Sequence, residues 1–107
     1  MGRNLSPLSD SRATVGVTTN YTAQSGQLLL IDTTSAVLTV TLPANPSVGD
    51  RINFIDAAGN CGTNKAVIAR NGNKIANLAE DLDFDIRNTS LELLYTGPTY
   101  GWSILSN

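Results

Sequence analysis

Leu42-Pro43-Ala44-Asn45-Pro46-Ser47-Val48-Gly49-Asp50-Arg51-Ile52-Asn53-Phe54-Ile55-Asp56 decides how this chain is read. Upstream of it, Leu38, Val40 and Leu42 alternate with Val37, Thr39 and Thr41, the period-two pattern of a strand with one inward face. Downstream, Ile52 and Phe54 alternate with Asn53 and Ile55. Between the two, Pro46 removes a backbone donor and Gly49 permits positive φ, so the chain turns instead of continuing. A strand, a tight turn and another strand form the unit that recurs along the sequence.

Toward the N-terminus, Thr14 to Thr19 is short and β-branched, and the turn signal Ser25-Gly26 precedes Gln27 to Thr33. That segment contains Leu28-Leu29-Leu30-Ile31, a run apolar on both faces, which predicts a strand covered on both sides. Toward the C-terminus, Gly59-Asn60 leads to Lys65 to Arg70, and Asn71-Gly72 is the strongest hairpin-turn dipeptide in the chain because both residues tolerate the left-handed conformation. Lys74-Ile75 is expected to return antiparallel to Val67-Ile68. Residues 77–81 allow at most a short helical turn. Leu82-Asp83-Phe84-Asp85-Ile86 alternates strictly, predicting carboxylates outward and three apolar side chains inward. Leu91, Leu93 and Tyr95 alternate next, residues 96–101 form a loop, and Trp102 and Ile104 belong to a closing strand.

Eight to ten short strands at intervals near ten residues predict an all-β fold, a compact antiparallel β-sandwich or jelly-roll-like domain. It spans residues 14–107. Residues 1–13, rich in Ser, Asn and Arg, show neither period and are expected to form an extended N-terminal arm. Such an arm either frays or straps a neighbour through Arg3, Leu5, Pro7 and Leu8.

A chain of 107 residues makes one domain with a thin core, and self-association would supplement it. Charged residues are 15% of the chain against an average of about 25%, so much of the surface is expected to face other protein. A net charge of -2 and scattered Lys and Arg argue against nucleic acid. No apolar run approaches a membrane span, and Met1 to Asp10 has no signal-peptide core. Met1-Gly2-Arg3-Asn4-Leu5-Ser6 fits a loose myristoylation pattern by chance, and the glycosylation triplets at Asn4, Asn20 and Asn88 need a secretory route.

The composition speaks against catalysis. Histidine is absent, removing the commonest general base and metal ligand. Cys61, the one cysteine, lies in Gly59-Asn60-Cys61-Gly62 with no base beside it, which fits a small packed residue in a reducing compartment. Asp81, Asp83 and Asp85 imitate the start of a calcium loop, but Ile86 replaces its required Gly, although Glu92 does occupy its twelfth place. Outward charge guarding a strand edge explains them better. The expectation is a non-enzyme with no catalytic residues, no metal and no cofactor.

Leu42-Pro43, Pro46, Val48-Gly49-Asp50-Arg51-Ile52, Asp56, Gly59-Asn60, Asn64, Ile68, Asn71-Gly72, Ile75, Leu78-Ala79-Glu80-Asp81, Tyr95 and Gly101-Trp102 together resemble a β module of tailed-bacteriophage structural proteins, cyanophages included. The likeness covers about residues 27–105. Modules of this kind occur in tail fibres, neck appendages and head decorations, so the resemblance implies a virion component. In that pattern Pro43 and Pro46 fix a corner, Gly49 lets Asp50 bond local donors, and Trp102 seals the core.

A short module with a polar arm resembles a capsid decoration, or cement, protein. That reading implies homotrimers on the outer virion surface, made in the host cytoplasm, binding the major capsid protein with neither nucleic acid nor membrane as partner. The alternative is a tail fibre or neck appendage module, with tail structural proteins as neighbours and Tyr95, Tyr100 and Trp102 as a host-glycan patch. A cellular carbohydrate-binding module would use the same aromatics.

Overall fold

A computed structural model describes residues 13–106. They form nine strands in two sheets and no helix. The strands are β1 (Ala13–Val17), β2 (Tyr21–Thr22), β3 (Gln27–Ile31), β4 (Leu38–Thr41), β5 (Arg51–Asp56), β6 (Ala66–Ala69), β7 (Leu82–Phe84), β8 (Ser90–Tyr95) and β9 (Trp102–Ser106). The all-β expectation holds. The strap residues Arg3, Leu5, Pro7 and Leu8 lie outside the described residues.

The connectivity differs from the antiparallel expectation. One sheet has the order β1-β3-β5-β8-β9 and the other β2-β4-β6-β7. Odd and even strands of the first six therefore alternate between sheets, and β1, β3 and β5 run parallel, as do β2, β4 and β6. The chain winds as a coil, the arrangement of a β-solenoid, before β7, β8 and β9 reverse direction and pair antiparallel. A jelly roll would need antiparallel pairing throughout. Parallel neighbours require a crossover, and here the crossover is a strand of the opposite sheet.

Winding in register stacks like on like. Val15, Leu29 and Phe54 align across β1, β3 and β5, and Leu91 of β8 continues the row. In the second sheet Leu38, Ala66 and Phe84 align likewise. Phe54 and Phe84 meet between the sheets with ring centroids 6.2 Å apart, so the two inward faces share one core. On the opposite face of β3, Leu28 and Leu30 are half-buried, so that face of the strand is less covered than the apolar run predicts.

The Asn71-Gly72 turn forms as expected, with φ of 51° and 90° and a bond from Asn73 N–H to the Arg70 carbonyl. The segment after the turn does not return along β6. Asn71 Nδ2 donates to the Leu42 carbonyl and Asn73 Nδ2 to that of Ala44, anchoring the turn to the coil beneath. Ile75 instead bridges Leu78 and Trp102, and β7 takes the place beside β6, where Leu82 and Phe84 face Ile68 and Ala66. The expected helical turn near residue 77 is a tight reversal with Ala76 and Asn77 at φ 52° and 64°, closed by reciprocal Ile75–Leu78 bonds.

Candidate functional site

The coil ends where β7 closes one sheet and β9 closes the other. Between these edges lies a groove of about 200 Å³ floored by Phe84, Leu91 and Leu82 and walled by Ile86 and Ile104. Ile86 is 62% exposed and Ile104 39%. The alternation of residues 82–86 predicts Ile86 inward. The strand ends at Phe84, so the period that turns Phe84 into the core no longer constrains Ile86.

The groove has an acidic rim. Asp83 Oδ2 accepts from Lys65 Nζ at 3.1 Å, an exposed pair worth well under about 1 kcal/mol. Asp85, on the other side of Phe84, is exposed. Asp81 accepts the backbone N–H of Arg70 and thereby fixes the entry to β7. The described residues contain no group of three or more His, Cys, Asp or Glu able to hold a metal, so the three aspartates are not gathered into a cation site. An apolar floor with exposed negative charge beside it suits an apolar side chain flanked by Lys or Arg.

A second polar centre is structural. Asp56, at the end of β5, is almost fully buried, and its carboxylate accepts the N–H groups of Asn60, Cys61 and Asn88. Burial pushes this carboxyl up, but the bonds from Asn88, Cys61 and Asn60 outweigh it and hold it below the ordinary value. It ties two loops to the sheet. Cys61 is 1% exposed and sits within 4.0 Å of Thr33 Oγ1. Burial, with the Asp56 carboxylate beside it, pushes the thiol up to about 12, so it is no nucleophile near neutrality.

The aromatic trio of the glycan reading is divided. Tyr95 and Trp102 are brought together at 5.3 Å in a T-shaped contact, but inside the core, while Tyr100 stands exposed on the preceding loop. A buried ring offers no face to a sugar, so the three do not form an exposed stacking patch. Gly101 sets this arrangement: at φ 77° it brings the chain against the Lys74 carbonyl, to which Trp102 N–H donates at 2.8 Å. Gly49 acts comparably at the other turn, with φ 97° and Asp50 Oδ2 accepting Ser47 N–H.

Ile86 and Ile104 were not readable as surface residues, because an isoleucine bears the same letter whether its strand continues or stops. The only signal was compositional, a charged fraction too low for a wholly solvated surface. Val48, Leu78 and Leu105 are exposed as well. No helix among the described residues is long and apolar enough to cross a membrane. No protein-family model matches the chain, and no curated protein matches it significantly.

Proposed function

We propose that this chain is a bacteriophage virion protein that decorates the outer capsid shell and stabilises contacts between major capsid proteins. The seam between β7 and β9 carries this reading, since exposed Ile86 and Ile104 over an apolar floor form a surface whose natural complement is another protein. Its partner is a shell protein presenting an apolar side chain beside a basic one, matched to Asp85. The low charged fraction and the scaffold roles of Asp56, Gly49 and Gly101 agree with a part whose value is shape.

In this reading the extended N-terminal arm, with Arg3, Leu5, Pro7 and Leu8, adds a second, non-globular contact to the shell. Two weak contacts per copy, repeated around a symmetric particle, give retention by effective concentration where neither alone suffices. The chain is made in the host cytoplasm and ends on the virion surface. Removing residues 1–12 leaves β1 whole, so the truncated chain is expected to fold, to bind expanded capsids more weakly, and to dissociate faster. Gold-labelled protein should coat the head. Labelling confined to the tail, or full capsid retention by the truncated chain, would refute the respective part of the proposal.

A further inference from the structure

Among the described residues, the four outer edges of the two sheets are not alike. β7 carries Asp83 with Asp81 and Asp85 at its ends, β2 has two residues, and the pairing of β9 is interrupted by a register shift at Glu92 and Leu93. Charge, shortness and irregularity are the means by which sheet edges avoid pairing with other chains. β1 is longer and regular, and the only charge at its ends is that of Arg12, just before it. Its five residues, Ala13-Thr14-Val15-Gly16-Val17, are regular, uncharged and free of proline, and the residues from Thr18 to Asn20 add no charge.

Its hydrogen-bonding direction can be derived. The Val17 carbonyl accepts from Asp32 N–H, so Val17 faces β3, and Val15 and Ala13 face the same way by alternation. Thr14 and Gly16 therefore turn their N–H and C=O groups outward, and both residues are exposed. The inward side chain of Val15 is only half-buried, whereas Leu29, its neighbour one coil on, is at 0% exposure. Among the described residues, the first coil thus leaves Val15 only partly covered, the position at which solenoids need a cap.

We propose that β1 pairs antiparallel with β1 of a second copy about a two-fold axis through Val15. The pattern is its own complement: Thr14 and Gly16 lie one residue either side of Val15, so the axis sets Thr14 against Gly16 of the second copy and the reverse. All four outward groups of each strand are then satisfied, in a register that no other centre on β1 matches. Val15 meets Val15 as a non-hydrogen-bonded pair, the closer of the two antiparallel spacings, and each closes the other's open coil. In a two-fold contact every charge near the axis meets its own kind, and this strand has none to repel a copy. The contact uses neither the β7–β9 seam nor the shell-binding reading, and it gives a pair where the family resemblance implies a trimer.

Cross-linking tests the register directly. Val15→Cys in the full chain should form a covalent dimer under mild oxidation, because Cys61 is buried and inert, while Thr14→Cys, placed opposite glycine, should remain uncross-linked. Equal cross-linking at both positions, or none at position 15, would overturn the pairing. Sedimentation of the unmodified chain should show dimers at high concentration, and Thr14→Pro, which removes only an outward donor, should abolish them with Trp102 fluorescence unchanged. A monomer at every concentration, a trimer, or a dimer that persists in the folded proline variant would each overturn the proposal.

Discussion

Asp56 shows how one side chain holds several segments. Its two oxygens accept three backbone N–H groups from loops that have no other ladder to join. Asp56→Asn keeps one acceptor and introduces donors facing donors, so it should lower stability by about 2 kcal/mol in urea unfolding at neutral pH. The carboxyl is held below its unfolded value of about 3.9, so it contributes stability above that pH and loses it as the pH falls through the folded value. The wild-type protein should therefore weaken below about pH 4 more steeply than the Asn variant. Gly101→Ala should be severe, costing about 3 kcal/mol or more, since a Cβ there collides with the Lys74 backbone and φ is positive. Thermal melting of the two variants measures both effects.

Among the elements, β7 has only three residues yet buries Phe84 in the core. Phe84, at the end of the four-stranded sheet, packs against Phe54 of the other. Phe84→Ala should cost about 3 to 5 kcal/mol by equilibrium unfolding and also empty the floor of the groove. The inward positions of the alternating strands were legible, because alternation depends only on which residues are apolar: Val40, Leu42, Ile52, Phe54 and Leu93 are all fully buried. Strand order was not. Ser25-Gly26 and the Pro46–Gly49 stretch signal a reversal, but a reversal into the facing sheet and one into a hairpin use the same turn chemistry. Lys74-Ile75 lost its expected place beside β6 for a related reason, since only tertiary competition reveals that Leu82 and Phe84 fit Ile68 and Ala66 better. The candidate site was even less visible, because Ile86 and Ile104 become surface residues only through where β7 stops and β9 lies.

For the whole molecule, the two ends of the coil have different chemistry. Among the described residues, the first coil turns backbone groups of Thr14 and Gly16 away from β3, whereas the last offers an apolar groove with an acidic rim. On the proposed reading, one end pairs with a copy of the chain and the other meets a shell protein, so the molecule links neighbours without any moving part. The proposed capsid contact rests most directly on the second end. Equilibrium binding of the purified chain to expanded capsids should be saturable, and the double variant Ile86→Asp with Ile104→Asp, still folded by circular dichroism, should bind at least about tenfold more weakly, the loss expected when about 1.4 kcal/mol of apolar contact is removed. Equal affinity of the folded double variant, or no binding by the wild-type chain, would contradict it.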